Sequence, residues 1–377
     1  GRGKSTSKGG AVALVGNSTV LTKSKFEMNS AIVDGGAIYA TGNFVNITES
    51  TFLRNNVSFG DDGKNIFGGG AIFVLGNFSN IINCSFDMVH GKKGGVIYIQ
   101  GNNVTINNAT SKRSYATEGG AIYIQGDNAT ILKSNITMSN STTSSGGAIY
   151  IQGANANISE SYFGMCIGGK DSSGIRLVDG GAIYVNGTNA TISKSVFEMN
   201  NVSQAGGAIF VHGNNTKILD SNFTKSHATI GGIIYVEGSN AVINGSSFSM
   251  SSVDTSGGAI YVNGTHATIE NSSFKLNNAT NNGGAIDVEG DLAEIKDCNF
   301  TVDIALTGDG GAIYIGGKNT VISGINSNIT RSSNGYGGSI YVNGINTKIK
   351  DSNFTSSTST LEGGAIYING DDSEVID

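Results

Sequence analysis

The side chains best suited to acid–base chemistry lie close together in the sequence. Asp287, Glu289 and Asp291 occupy alternate positions, and alternate residues of a β-strand share one face, which we expect at least for Asp287 and Glu289. Glycoside hydrolases use carboxyl groups of this kind. Such sites also need a basic partner, or a second carboxylate at a defined separation from the first. Lys296 is expected on another face. A polysaccharide-degrading enzyme, either a lyase or a glycoside hydrolase, is therefore the alternative function.

The three cysteines and four histidines do not form a metal-binding or nucleophilic pattern. Cys84 and Cys298 fall eight copies apart in a sequence repeat described below, about 38 Å at the spacing of stacked strands. A disulfide needs Cα atoms within about 7 Å. Cys166 lies three copies from Cys84. We expect small buried residues here, and no cofactor.

Two segments interrupt the spacing of the repeat, near residues 56–67 and 166–179. Loops on a rigid scaffold often carry function. Asp61, Asp62 and Asn65 offer the oxygen ligands that Ca²⁺ prefers, although the EF-hand pattern is absent. A solvated loop, a partner contact and a Ca²⁺ site remain the three interpretations.

Asn-x-Ser/Thr occurs 23 times in the chain. The pattern predicts a secreted protein that is N-glycosylated, against the alternative of a surface merely rich in Asn, Ser and Thr. The candidate acceptors are Asn56, Asn128, Asn140, Asn189, Asn201, Asn222, Asn263, Asn299 and Asn353.

All of these residues are positioned by one repeat. A Gly-Gly pair opens a related phrase fourteen times, at intervals of 25 to 27 residues except for two of 34. The first Gly is counted here as position 0. The fullest copy defines the structural residues, which are Gly180, Gly181 and Gly187 at positions 0, 1 and 7, Ile183 and Ile192 at positions 3 and 12, and Phe197 at position 17.

Three short segments of each copy alternate apolar and polar residues, which predicts strands with one buried face. Such strands stacked in parallel, turn upon turn, make an all-β, single-stranded parallel β-helix of about fourteen coils. Right-handed winding is the default for parallel crossovers. The chain contains no Pro, as expected where a Pro would delete a ladder hydrogen bond. We predict one continuous domain over residues 1–377, a rod roughly 65 Å long.

Position 4 carries an aromatic residue in nearly every copy, and Asp287 is an exception. Because positions 3 and 5 are expected to face the core, these rings should face outward. They either stack on one another or contact a partner or carbohydrate. The candidates for such a contact are Tyr98, Tyr123, Tyr150, Tyr184, Tyr235 and Tyr261.

The pairing of Gly-Gly-Ala-Ile with Phe-x-x-Asn, as in Phe26 to Asn29 and Phe197 to Asn200, resembles the repeat of the polymorphic outer membrane protein family. Methanogen adhesin-like surface proteins are similar in their richness in Asn, Thr and Ser. The resemblance covers essentially the whole chain and implies a surface-displayed adhesin or surface-layer component. Some copies lose the Asn, as in Phe300 to Asp303.

The preferred prediction is a non-catalytic extracellular protein of the cell surface, acting as an adhesin or as a structural filament. The net charge of −6 speaks against a nucleic-acid partner, and no apolar run is long enough to span a membrane. Neither end shows the capping repeat that solenoids ordinarily need, so we expect a longer chain or end-to-end stacking. The expected partners are further copies of itself, neighbouring surface proteins, or glycans of a host or cell surface.

Overall fold

The computed structural model of the chain describes residues 2–57, 68–169 and 178–376. It contains parallel strands and, in these residues, no helix. The strands stack as a β-solenoid of about fourteen turns, which confirms the predicted fold class. Two compact units are distinguished, Gly1–Thr191 and Ile192–Asp377. That the chain forms one continuous domain stays a prediction.

Each turn contributes one strand to each of three main sheets, and a two-residue strand in most turns adds a fourth. In the first unit, the first sheet is built from Val12–Leu14, Ile38–Ala40, Ile72–Val74, Ile97–Ile99, Ile122–Ile124, Ile149–Ile151 and Ile183–Val185. The second is built from Val20–Thr22, Asn46–Thr48, Asn80–Ile82, Thr105–Asn107, Thr130–Leu132 and Asn157–Ser159. The third is built from Lys25–Glu27, Thr51–Leu53, Ser85–Asp87, Thr110–Lys112, Asn135–Thr137 and Tyr162–Gly164. The short strands are Lys4–Ser5, Ser30–Ala31, Asn56–Val57, Tyr115–Ala116, Asn140–Ser141 and Ile167–Gly168.

The second unit repeats this plan, and the strand Thr191–Ser193 of the second sheet lies at the division. Its first sheet comprises Ile209–Val211, Ile234–Val236, Ile260–Val262, Ile286–Val288, Ile313–Ile315, Ile340–Val342 and Ile366–Ile368. Its second comprises Lys217–Leu219, Val242–Asn244, Thr268–Glu270, Glu294–Lys296, Val321–Ser323, Lys348–Lys350 and Glu374–Ile376. Its third comprises Val196–Glu198, Asn222–Thr224, Ser247–Ser249, Ser273–Lys275, Asn299–Thr301, Asn326–Asn328 and Asn353–Thr355. Its short strands are Asn201–Val202, His227–Ala228, Ser252–Val253, Asn278–Ala279, Ile304–Ala305, Arg331–Ser332 and Thr358–Ser359.

Strands pair in register, so that equal positions of successive turns lie opposite one another. Ile260, Ile286 and Ile313 pair in sequence along the first sheet, and all three are fully buried. Phe248, Phe274 and Phe300 form the corresponding inner column of the third sheet, with ring centroids 4.9 and 4.8 Å apart. The core therefore consists of columns of identical side chains, each stacked on the next turn.

The turn between the first two sheets is also built as a column. Position 9 adopts a left-handed backbone, for example φ 57° at Asn128 and Asn155, which Asn tolerates better than most residues. The Asn155 amide nitrogen donates to the Asn128 side-chain oxygen at 3.0 Å. These contacts agree with a structural use of the position-9 asparagines.

The fourth, two-residue strand differs from the prediction of three strands per turn. Two residues are too short for an alternating pattern to be detected, and the preceding position 20 is polar. That position is nevertheless buried, as at Asn29, Asn55 and Asn277. Asn29 donates its side-chain nitrogen to the Asn55 side-chain oxygen at 2.8 Å. A column of buried amides thus stabilises the corner where the Phe-x-x-Asn motif ends.

Candidate functional site

The aromatic residues of position 4 form stacked columns on the outer face of the first sheet. In the first unit, Tyr123, Tyr150 and Tyr184 are spaced at 4.9 Å, with interplanar angles of 4° and 18°. Tyr98 and Tyr123 are buried, with 2% and 3% of their surface exposed. Stacked neighbours cover one another's ring faces, whereas Tyr98 meets Phe73 and Tyr123 edge-on, at 87° and 83°. At a gap in a stacked run, the ring faces on either side lose this cover.

The second unit contains such a gap. Phe210, Tyr235 and Tyr261 stack at 4.9 and 5.1 Å, and after the gap Tyr314 stacks on Tyr341 at 5.2 Å. Asp287 pairs in register with Tyr261 on one side and with Tyr314 on the other. The two tyrosines are two strands apart, roughly 9.6 Å at the usual strand spacing. We call this gap, bounded by Tyr261 and Tyr314 with Asp287 behind it, the ring slot.

Asp287 is a buried acid whose hydrogen bonds are incomplete. Its side chain is 1% exposed, and its Oδ1 atom accepts no hydrogen bond from the described residues. Burial raises its pKa well above the ordinary value, the charge of Glu289 raises it further, and a hydrogen bond with Ser256 offsets part of the effect. A buried carboxyl in this state favours its protonated form. Asp287 is therefore suited to donate a proton.

Glu289 stands two residues further along, on the same face of the sheet. It is exposed on its outer side, yet its surroundings shield the carboxyl enough to raise its pKa. In the next turn the equivalent position is Gly316, and a Cβ atom there would come within 2.0 Å of Glu289 Oε2. The Glu289 carboxylate thus occupies the space that a side chain at position 316 would fill.

The two carboxyl groups also raise the pKa values of Tyr261 and Tyr314. Burial raises the pKa of Tyr261 first, and the charges of Asp287 and Glu289 add to the effect. The pKa of Tyr314 is raised by burial and then by the same two carboxyl groups. No cation is among the groups that shift the pKa of Asp287 or Glu289. The slot is thus an acidic site between two phenol rings.

The third acid of the predicted cluster does not belong to the slot. The Asp291 Oδ1 atom accepts the backbone N–H of Lys318 at 2.8 Å and so closes the turn of the next coil. Lys296 pairs with Glu294 on the second sheet, at 2.5 Å, as expected for another face. Tyr314, Gly316 and Ser256 were missed as members of the site, although the gap left by Asp287 in the aromatic column pointed to Tyr314.

A second concave feature lies on the outer face of the third sheet. In the first unit a groove of about 470 Å³ is lined by Thr51, Phe52, Leu53, Ser85, Phe86, Asp87, Thr110, Ser111, Lys112, Asn135 and Thr137. In the second unit a groove of about 320 Å³ is lined by Asn299, Phe300, Thr301, Asn326, Ser327, Asn328, Asn353 and Thr355. Each groove coincides with a turn in which Ser replaces the inward Phe, at Ser111 and at Ser327.

The remaining predicted sites are placed as follows. Cys84, Cys166 and Cys298 are buried thiols. Of the candidate acceptor asparagines, Asn56 and Asn140 are partly buried, and those exposed are Asn128, Asn189, Asn201, Asn222, Asn263, Asn299 and Asn353. Asp61, Asp62 and Asn65 lie outside the described residues. Elsewhere in the described ranges, no three His, Cys, Asp or Glu side chains converge on a metal position. Nor does that part of the chain contain a helix able to cross a membrane.

No protein-family model matches the chain, and no curated protein matches it. Solved structures do. An alginate lyase, AlyF-OU02 in complex with G6, superposes with TM-score 0.53 and 12% identity, covering 96% of this chain and 79% of that one. A PL6 alginate lyase in complex with a trisaccharide gives TM-score 0.50 and 12% identity, covering 100% and 81%. PfbA, a surface adhesin of Streptococcus pneumoniae, gives TM-score 0.46 and 13% identity, covering 91% and 84%.

At this level of identity the likeness establishes the fold, a parallel β-solenoid of the kind that the repeat resemblance implied. It also overturns the preferred functional prediction. A non-catalytic surface protein without enzymatic activity is the wrong reading, because the two alginate lyases agree better with the polysaccharide-degrading alternative. The preferred prediction rested on the resemblance of the repeat to surface proteins and on the lack of a basic partner for Asp287 and Glu289. Neither observation excludes chemistry at a single exceptional turn.

Proposed function

We propose that the chain is a polysaccharide-degrading β-solenoid that hydrolyses a glycan at the ring slot. The observation that carries the proposal is Asp287, a buried carboxyl with an unpartnered oxygen at the one gap in a column of stacked tyrosines. Two oppositely placed ring faces suit a sugar ring, whose C–H faces pack against aromatic rings. The solved neighbours in complex with G6 and with a trisaccharide support a glycan as the ligand class.

The two acids differ in environment, and this difference assigns their parts. Asp287 is the deeper, and burial raises its pKa, so of the two acids it is the one assigned to donate the proton that the leaving glycosidic oxygen requires. Glu289 is open to solvent on one side and accepts the proton of an attacking water. The bond from the anomeric carbon to the bridging oxygen breaks, water supplies the new hydroxyl, and one sugar end is released.

The charge of the slot indicates a neutral substrate. Elimination from an acidic sugar, or its close approach, calls for a cation that offsets the substrate carboxylate. Burial, Glu289 and Ser256 shift the pKa of Asp287, and burial raises that of Glu289, so no cation is among the groups that act on either carboxyl. A neutral polysaccharide therefore fits better than a polyanion.

The test is a depolymerisation assay on neutral and acidic polysaccharides, followed by new reducing ends and, separately, by unsaturated sugar ends. We expect reducing ends from a neutral polymer, with activity lost by at least a hundredfold in D287N and E289Q. Glu294, which lies on the second sheet and pairs with Lys296, provides the matched control, and E294Q should retain full activity.

D287Y separates activity from folding. Tyrosine is the residue that most turns carry at this position, so the variant completes the column and removes a buried acid. We expect it to be at least as stable as the native chain and inactive. Activity that survives in both D287Y and D287N would overturn the proposal, and unsaturated ends as the main product would replace hydrolysis by elimination.

We also propose that the protein acts outside the cell and carries N-linked glycans. The sequon asparagines Asn201, Asn263, Asn299 and Asn353 are exposed, as acceptors must be. Mass spectrometry of the protein isolated from its native cells should show hexosamine-containing glycans on these residues. Unmodified peptides at all four sites would contradict this.

A further inference from the structure

The larger groove on the third sheet, the 470 Å³ groove of the first unit, has a chemistry different from that of the ring slot. Its floor carries a column of hydroxyl and amide side chains, in which Thr51, Ser85, Thr110 and Asn135 pair in register. The Ser85 hydroxyl donates to Thr51 Oγ1 at 3.3 Å. These polar groups recur at the strand spacing of about 4.8 Å, as do the hydroxyls of a saccharide chain along its length.

A second column of outward side chains, which includes Asp87 and Lys112, runs along the edge of the groove and is charged. Asp87 pairs in register with Lys112, and Arg113 binds the Asp87 carboxylate with two bonds, Nε to Oδ1 at 3.0 Å and Nη2 to Oδ2 at 2.5 Å. Arg113 thereby neutralises Asp87. No hydrogen bond or ion pair from the described part of the chain engages the Lys112 ammonium, which is exposed.

The surroundings add positive charge. Arg54 follows the lining residue Leu53 and is exposed, so three cations, Lys112, Arg113 and Arg54, lie in or beside a groove whose lining contains one acid, Asp87. The chain as a whole carries a net charge of −6. A local excess of cations on an acidic protein marks a surface that attracts anions.

We propose that this groove binds an anionic oligosaccharide, with the ammonium of Lys112 paired to an acidic group of the sugar and the Thr51–Asn135 column bonded to its hydroxyls. The volume lies in the range of small-molecule sites. The apolar groups that face the groove, which are the threonine methyls and the Leu53 side chain, supply contact area for the sugar C–H groups. This site is independent of the proposed hydrolysis at the ring slot.

The smaller groove of the second unit serves as an internal comparison. It also lies at a turn of the solenoid in which Ser replaces the inward Phe. Its outward lining residues are Asn and Thr, and no charged residue is among those that line it. The two grooves thus share a shape but differ in charge. Selective binding of an anion should occur in the first and not in the second.

The experiment is calorimetric titration of the full chain with a uronic-acid hexasaccharide, a sulfated hexasaccharide and a neutral hexasaccharide of the same length. We expect the uronate to bind, the neutral sugar to bind at least tenfold more weakly, and K112Q to lower uronate affinity by roughly tenfold. Lys275 holds the same position of the third sheet beside Phe274 and is exposed, so K275Q is the matched control and should leave affinity unchanged.

Amide chemical shifts then locate the sugar, and we expect changes at Thr110 and Asn135. Equal affinity for the neutral hexasaccharide, or equal losses in K112Q and K275Q, would overturn the proposal. Equal binding of the sulfated sugar would support it and show that the groove recognises acidic groups in general. D287N should bind the uronate as the native chain does, which keeps this result separate from the fate of the proposed hydrolysis.

Discussion

Replacing Asp303 by asparagine should remove a pH-dependent loss of stability that one buried carboxyl imposes on the fold. Asp303 is fully buried at position 20, where other turns carry Asn29, Asn55 and Asn277. Its Oδ1 atom accepts the backbone N–H of Asn277 at 2.8 Å and the side-chain N–H at 2.9 Å. These bonds lower the pKa, but burial dominates and raises it from 3.8 to about 7.

The sign and size of the effect follow from this pKa. Because folding raises the pKa of an acid, the folded chain holds the proton more tightly than the unfolded chain does. The contribution of Asp303 to stability is therefore greatest below pH 3.8, falls as the pH rises towards about 7, and levels off above that value. The difference corresponds to about 4 kcal/mol at 1.36 kcal/mol per pKa unit.

Asparagine keeps the shape and cannot ionise. In D303N the side-chain oxygen can still accept from Asn277. The new amide can donate to the Phe274 carbonyl, as the Asn277 amide does to Phe248 O at 3.2 Å. We expect D303N and the native chain to be about equally stable near pH 4, and D303N to be more stable by about 4 kcal/mol near pH 8.

Urea unfolding at a series of pH values measures this difference, and hydrogen exchange of the Asn277 amide reports it locally. Asp287 titrates in the same direction, but it is present in both proteins and cancels in the comparison. Asp351 is exposed, so D351N serves as the matched surface control for an Asp-to-Asn exchange. A D303N effect that is the same at pH 4 and pH 8 would refute the reasoning.

Three further predictions concern the core, a turn and a thiol. Phe274→Ala, in the middle of the inner ring column, should lower the free energy of unfolding by about 3–5 kcal/mol. Phe78→Ala, at a half-exposed ring, should lower it far less, and urea titration compares the two variants. Gly310 has φ 67°, and a Cβ there would lie 2.1 Å from the Ile313 carbonyl oxygen, so Gly310→Ala should unfold at a markedly lower temperature in calorimetry. Burial raises the pKa of Cys166 to about 12, so this thiol should resist alkylation at pH 8 until the protein is unfolded, as mass spectrometry of labelled peptides would show.

The repeat made the fold predictable in detail. The in-register columns at positions 3, 4, 12 and 17 follow from counting residues, because each turn can bury its apolar face only against an equal turn. The left-handed backbone of position 9 was predictable because Asn recurs there and tolerates that conformation. The short fourth strand was not, because its two residues offer no period and its stability comes from buried amides such as Asn55.

The site was predictable only in part. Asp287 and Glu289 could be identified as a pair, since they share a strand face. Asp291 was grouped with them by proximity in sequence, but its side chain closes a turn. Gly316 contributes by lacking a side chain one turn later, and each groove coincides with a turn in which Ser replaces the inward Phe, at Ser111 and at Ser327. Such absences are visible in the sequence, but their effect on the shape of the neighbouring turns requires the structure.

The pairing of each turn with the next has a kinetic consequence. Nearly every contact between strands joins residues one repeat apart, about 26 positions in a chain of 377, so the relative contact order is about 0.07, a value typical of helical bundles rather than of β-sandwiches. Loop closure for each new turn has the same modest entropy cost. A formed turn offers its free edge as the template for the following one. An all-β protein of this design can fold by successive addition of turns, without the distant pairings that slow most sheets.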